Sequence, residues 1–258
     1  MYKRISHNIV EEHFEHPAVL PAGIGMPYGG LDAMACMTAT SMANIVHPHT
    51  GTGTSVIRAE QAAILYDNKM QFRMDARTAW GKWVWSLLNY SISLNGNLAG
   101  TDQVKGRMHK NAAALGDSII PFYGPSAGRS LTSALIAIDD IGMHYVEALK
   151  AKAPQAEIDK IIKTWEPYVA DIAKVLNELN PNYWPQETVA DIFANVVKGW
   201  QDELTARATN DLVADEIAID FLNNLVITGV PPSAANSYRS LADVFSWGII
   251  AQFPDMFV

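Results

Sequence analysis

Apolar residues recur every three or four positions along most of the chain after about residue 75. That spacing places them on one face of a helix, so it predicts a series of amphipathic helices. The clearest run carries Leu131, Leu135, Ile138, Ile141, Tyr145 and Leu149. No comparable run of alternating apolar and polar residues predicts a strand. The sequence therefore predicts an all-α fold, an up-down bundle of four to six helices with an irregular N-terminal arm.

Proline and glycine mark the ends of the predicted helices. We expect a turn from Pro121 to Gly128, a segment that also contains Gly124 and Pro125. Pro167 lies inside a longer apolar pattern, and we expect a kink or a break there because proline removes a backbone donor. Further boundaries are expected at Asn95 and Gly96, at Asn180 and Pro181, around Ala206 to Asn210 and at Gly229.

The last third of the chain continues the same periodicity. After the irregular turn, the apolar stripe runs on through Leu212, Ile217, Phe221, Leu222 and Leu225. A final helix is expected over Ala234 to Ile250, with Leu241 and Phe245 among its apolar residues. These stripes are typical of side chains that fill the interior of a bundle.

The N-terminal segment has a different texture, and we assign residues 1–70 to an arm and 71–258 to the helical bundle. From Pro17 to Ser55 the only charged side chain is Asp32, and glycine, proline and methionine are abundant. Because disordered segments are usually charged and poor in apolar residues, we expect an ordered arm that lies on a surface. That surface could belong to its own bundle or to a neighbouring subunit. We expect self-association through this arm.

Charge and composition limit the kinds of partner and the cellular location that we expect for this chain. The chain has 19 Lys plus Arg against 27 Asp plus Glu, a net charge of -8, which argues against nucleic acid because phosphate binding needs a basic surface. No apolar run approaches the roughly 20 residues of a membrane span, and no signal peptide is evident. The single cysteine, Cys36, fits a reducing compartment. We therefore expect a location in the cytoplasm or in a particle assembled inside a cell.

Histidines and carboxylates offer weak metal-binding patterns. Two close histidine pairs lie in the arm, in EEHFEH and HPH, and one Asp and one His stand four apart on a predicted helix. Side chains at these spacings can converge on zinc or copper. The candidate ligands are His13, His16, His47, His49, Asp140 and His144. The alternative interpretation is that Asp139 and Asp140 belong to a solvated acidic face, and we expect no cofactor. If the protein does bind a cofactor, the candidate ligands named above predict a divalent transition metal.

The sequence contains few patterns that indicate catalysis. Cys36 has no sequence neighbour that marks it as a nucleophile, and no G-x-S-x-G motif occurs. The GTGT segment at Gly51 to Thr54 lacks the lysine of a phosphate loop. Three tryptophans, Trp80, Trp83 and Trp85, cover much of a helix circumference, which favours core packing or a subunit contact over a ligand cage.

Several short motifs occur in a characteristic order. They are Trp80, IIPFYG at Ile119 to Gly124, Trp165, VADIAKVLNELNPNYWP from Val169, and SWGIIAQFPDMF from Ser246 to Phe257. In these features the chain from about Thr78 onward resembles an uncharacterised family of small helical bacterial proteins, some of which are labelled acetylglutamate kinase. The resemblance implies a helical fold. A kinase activity is not expected, because a helical chain lacks the parallel sheet and the glycine-rich phosphate cradle.

The chain departs from that family where the family looks suited to metal. Members tend to show His on the first helix and Glu-His pairs on two later helices. The corresponding residues here are Trp83, Ala137 with Ile138, and Asn195 with Val196. The resemblance therefore carries no ligand over to this chain.

Two functions of different class follow from these patterns. The first is a non-enzymatic structural or interaction protein, a helical-bundle subunit of a homo-oligomer or larger assembly such as a coat or particle. The second is a bundle that binds a metal or a small molecule through His and Asp/Glu side chains. The arm composition and the apolar residues at the family's polar positions favour the first.

Overall fold

The structure is a computed structural model that describes the backbone of residues 54–229 and 239–257, and side chains from residue 68 onward within those ranges. Throughout these ranges the chain forms helices joined by short turns, with no strand, so the predicted all-α fold is confirmed. The helices are α1 (Thr54–Asn95), α2 (Thr101–Lys150), α3 (Gln155–Leu179), α4 (Gln186–Ala208), α5 (Leu212–Asn223) and α6 (Leu241–Gln252). A π-helical turn, Asn224–Thr228, follows α5, and a 3-10 turn, Pro254–Phe257, follows α6. Helix α1 begins inside the segment assigned to the arm.

Helix α2 is a hairpin of two antiparallel arms, 101–123 and 125–150, that reverses on one residue. Gly124 has φ 81 and ψ 170, which lies outside the helical region and in the range of φ that favours glycine. The arms touch through their backbones, since a Cβ on Gly128 would lie 2.8 Å from the Gly116 carbonyl oxygen. Further from the turn, His109 on the first arm bonds Asp140 on the second. The predicted turn is confirmed and is tighter than expected.

The core lies among α1, α2, α3, α4 and α6, and it is built largely from aromatic rings. Trp80 and Trp83 of α1 meet edge-to-face with centroids 5.5 Å apart, and Trp83 lies 4.9 Å from Trp200 of α4. Such contacts add to the free energy of apolar burial. The largest fully buried side chains include Trp80, Trp83, Trp165, Trp184, Trp200, Phe193, Leu131 and Leu135. The core packing of Trp80 and Trp83 is confirmed, and so are the interior stripes predicted for the second arm of α2 and for α3.

Buried indole groups tie helices together through backbone carbonyls. Trp165 Nε1 donates to the Ile138 carbonyl oxygen at 3.0 Å, and Trp200 Nε1 donates to Val84 at 3.0 Å. Each bond satisfies a donor that would otherwise be buried without a partner, at a cost of about 1–3 kcal/mol. The same rings therefore fill the core and fix the helices in register.

The remaining boundaries differ from the sequence predictions in two places. Helix α3 runs through Pro167 without a break, so the break is wrong and the alternative, a kink, stays a prediction. The turn between α4 and α5 is confirmed, with Asn210 at φ 59 and Asp211 capping α5 by accepting from the Ala214 amide. Residues 230–238 lie outside the described residues, and α6 begins only after Ser240, whose Oγ accepts from the Asp243 amide. The last helix therefore starts later than predicted.

None of the helices in the described ranges combines the length and the apolar composition needed to cross a membrane.

Candidate functional site

The predicted metal ligands do not form a cluster in the part of the chain that the structure describes. His13, His16, His47 and His49 lie outside the described residues. His144 is exposed on the second arm of α2. Asp140 instead bonds His109, with 2.9 Å between Oδ1 and Nε2. Among the described residues no three His, Cys, Asp or Glu side chains gather as a metal site would require.

Sequence reasoning missed His109 because the spacing rule looks only along one helix. His109 and Asp140 are 31 positions apart and meet only because the α2 hairpin closes. Both side chains are partly exposed, at 35% and 46%. The pair is a surface contact between the two arms of the hairpin.

Asp139 is a buried carboxyl group in the bundle interior. It is fully buried, and neither carboxylate oxygen has a hydrogen-bond partner among the described residues. Burial raises its pKa well above the ordinary value, although the nearby Trp83 indole acts in the opposite direction. The Trp83 N–H faces the carboxyl group without reaching hydrogen-bond geometry. The expectation that Asp139 lies on a solvated face is wrong.

A second buried acid lies where α4 turns into α5. Glu203 is buried, and it accepts a hydrogen bond of 2.8 Å from Arg207 Nε. Arg207 Nη2 also donates to both carboxylate oxygens of Asp215, at 3.1 and 2.9 Å. Burial raises the pKa of Glu203 to about 7 despite the neighbouring guanidinium, and Asp215 adds to the rise. The group fixes the α4–α5 corner, since one cation holds acids from both helices.

A third charged group joins α6 to α1. Asp243 accepts from Arg73 Nη2 at 2.9 Å and from Arg77 Nη2 at 2.9 and 3.1 Å. The Arg73 guanidinium also lies 4.9 Å from the Trp247 ring centroid. Burial alone would raise the pKa of Asp243, but the two arginines outweigh it and hold the pKa below its ordinary value.

A groove of about 550 Å³ runs between the second arm of α2 and α3. Small residues line one wall, among them Ser126, Ser130 and Ser133. The other wall carries Tyr168, Asp171 and Lys174. Because charges of both signs line an open surface, the groove selects no particular ligand chemistry.

The outer face of α5 is apolar and exposed, and we call it the α5 surface. It consists of Leu212, Val213, Glu216, Ile217, Asp220 and Phe221. The four apolar members are exposed by 65%, 70%, 61% and 38%, in chain order. The opposite face of the same helix buries Asp215, Ala218 and Leu222. The π-helical turn that follows is of a kind often found at functional sites.

The α5 surface corrects the sequence prediction for this helix. Leu212, Ile217 and Phe221 were expected inside the bundle, and they face outward, whereas Leu222 and Leu225 are buried as predicted. Acidic residues lie on both faces of this helix, with Asp215 inside and Glu216 and Asp220 outside, so periodicity did not single out the inner face. On the inner face, Asp215 pairs with Arg207, which lies eight residues earlier in the chain.

At the positions where the resembling family tends to have polar residues, this chain buries apolar ones. Trp83, Ile138 and Val196 are each 0% exposed. Trp83 contacts Phe193 and Trp200. The structure therefore places aromatic and aliphatic packing at the centre of the bundle.

Comparisons of the chain with protein-family models, with curated proteins and with solved structures find no match. The resemblance drawn from the NPNYWP and QFP motifs stays a prediction.

Proposed function

We propose that the protein is a non-enzymatic interaction protein, a helical-bundle subunit of a homo-oligomer or larger assembly, and that the α5 surface is one of its docking surfaces. The exposure of four large apolar side chains on one 12-residue helix supports this proposal most directly. Apolar side chains that lie together on one face, unlike those scattered singly over a surface, are typical of interaction sites.

The interior of the bundle also supports an interaction role. Large rings from α1, α3 and α4 fill the space between the helices, with Trp80, Trp83, Trp165 and Trp200 almost fully buried. Close packing of this kind gives a rigid body that can present a surface without losing conformational entropy on binding.

Light scattering on the purified chain tests the assembly. The N-terminal segment predicted to self-associate lies outside the described residues up to position 53, whereas residues 53–258 form a compact unit of their own. We expect the full chain to exceed its monomer mass of 28.3 kDa. Deleting residues 1–53 should yield a monomer with nearly unchanged helical circular dichroism. A full chain that stays monomeric at every concentration would contradict the homo-oligomer.

Elemental analysis of the purified full-length protein separates this proposal from the metal-binding alternative. The alternative uses the ligands predicted from the sequence, which are His13, His16, His47, His49, Asp140 and His144. We expect less than stoichiometric zinc, copper, iron or manganese. Near-stoichiometric metal that is lost in a His13 and His16 double substitution would favour the alternative.

A further inference from the structure

We propose that the α5 surface binds a basic amphipathic helix of a partner protein. This inference rests on the proposed function only in taking the α5 surface as a docking surface. It adds the chemistry of the occupant, which follows from the shape, the charge and the size of that surface.

The shape of the α5 surface fits a helix. Val213, Ile217 and Phe221 follow one another at intervals of four and form a straight apolar ridge. Leu212, Glu216 and Asp220 form the adjacent row at the same interval. Rows at this interval are the ridges that pack into the grooves of a second helix. The partner should therefore place apolar residues three and four apart against the ridge.

The charge of the α5 surface selects basic flanks on that partner helix. The sequence LVADEIAIDFLN contains three acidic residues and no Lys or Arg. Asp215 is buried against Arg207, whereas Glu216 and Asp220 are exposed and pair with no cation among the described residues. A helix that packs on the ridge passes directly over these two carboxylates. Lys or Arg beside its apolar stripe would meet them, and Asp or Glu there would be repelled.

A second copy of the chain fits this surface less well. Pairing two α5 surfaces would bring Glu216 and Asp220 of both copies together without a compensating cation. The helix is also small, because twelve residues span about 18 Å and the exposed face is about 10 Å wide. One helix of this length supplies only part of the approximately 800 Å² that each partner of a stable interface buries. A single partner helix needs no larger surface for a transient contact.

Peptide binding to the full-length protein tests the proposal. The probe is a fluorescein-labelled helical peptide of about 15 residues, with Leu at the apolar positions and Lys beside them. Its twin carries Glu in place of every Lys. Fluorescence anisotropy should show that the Lys peptide binds and that its affinity falls as salt rises, because exposed charges are screened. The Glu twin should not bind.

Variants of the chain show whether the binding occurs at α5. We expect Ile217→Asp to lower the affinity for the Lys peptide by at least about tenfold. The double change Glu216→Lys and Asp220→Lys should also weaken the Lys peptide, and it should create binding of the Glu twin. The control is Leu98→Asp, which puts the same charge on an apolar residue that is 53% exposed in the α1–α2 turn and should leave binding unchanged. Circular dichroism melts establish that each variant is folded.

Three results would overturn the inference. They are no binding of the Lys peptide, equal binding of both peptides, and Lys-peptide binding that survives Ile217→Asp. Light scattering distinguishes a failure here from a failure of the proposed function. If Ile217→Asp dissociates the oligomer and Leu98→Asp does not, a second copy occupies the α5 surface. In that case the basic partner is wrong and the interaction protein stands.

Discussion

Asp139 is the residue at which burial and charge conflict most directly. Because its pKa is raised in the folded state, the fold retains a proton that the unfolded chain releases at lower pH. The resulting stability is fully present below the ordinary pKa and is lost as pH rises through the folded pKa. We expect Asp139→Asn to raise the free energy of unfolding by about 1–3 kcal/mol near pH 8 and to change it little near pH 4.

Urea unfolding at both pH values measures this effect. The matched control is Asp117→Asn, an exposed aspartate on the other arm of α2. Equal effects of Asp139→Asn at pH 4 and pH 8 would show that Asp139 does not hold a proton in the folded protein.

Glu203 gives a second pH dependence with a defined window. Its folded pKa is about 7 against an ordinary value of 4.5, so its contribution is full below 4.5 and declines until about pH 7. We expect the urea midpoint of Glu203→Gln to vary less with pH over this window, because the amide does not titrate. Exposed Glu187→Gln on the same helix is the control. An unchanged midpoint profile in Glu203→Gln would refute the raised pKa.

The sequence indicated which residues were candidates for a core or a site, but it did not predict how buried each of them is. Asp139 and Asp140 are adjacent, yet one is fully buried and the other bonds His109 at the surface. Their different environments depend on how the α2 hairpin packs, which no local pattern records. Trp80 and Trp83 were predictable as core residues, because large rings at close helical spacing leave few exposed positions.

The α2 hairpin is the element whose geometry depends most on glycine. A Cβ on Gly116 would overlap the Gly128 carbonyl oxygen and Thr132 Oγ1, and the carbonyl belongs to a packed helix that cannot move away cheaply. We expect Gly116→Ala to lower the free energy of unfolding by about 1–3 kcal/mol through strain. The matched control is Gly106→Ala in the same arm, where a Cβ meets nothing within 4 Å.

The control should move in the opposite direction. Alanine is a better helix former than glycine, so Gly106→Ala should stabilise the protein by up to about 1 kcal/mol. Chemical denaturation measures both variants. Stabilisation by both substitutions would mean that the two arms of α2 do not touch at Gly116.

The helices differ in how well their sequences predicted which face is buried. The second arm of α2 and helix α3 each carry one apolar stripe, and the buried residues match it. Helix α5 carries apolar and acidic residues on both faces, so its inner face could not be chosen from periodicity. The break expected at Pro167 fails because the helix on both sides of this exposed proline is held by buried residues such as Trp165 and Val169.

Contacts between distant parts of the chain hold the whole molecule together. Asp243 joins α6 to Arg73 and Arg77 of α1, which lie 170 and 166 residues away in sequence. Because the arginines hold the Asp243 pKa below its ordinary value of 3.8, this contribution is present above that value and is lost as pH falls through the folded pKa. The contribution of Asp243 to stability therefore changes with pH in the opposite direction to those of Asp139 and Glu203.

We therefore expect stability to pass through a maximum between acid and neutral pH. Asp243→Asn should lower the free energy of unfolding by about 1–3 kcal/mol near pH 7, because two guanidinium groups lose their carboxylate. The loss should shrink below about pH 4. Thermal unfolding followed by circular dichroism measures it, with exposed Asp255→Asn as the control. A loss that stays constant with pH would argue against an ionic role.

The reversal of the chain on Gly124 limits how the length of this protein can vary. An extra residue there would shift the two arms against each other and break the close contact between Gly116 and Gly128. The exposed turn between α1 and α2, at 96–100, has no such restriction. We expect one alanine inserted after Gly124 to abolish cooperative unfolding, and the same insertion after Asn97 to leave it intact. Natural insertions should therefore be tolerated at one end of the hairpin and excluded at the other.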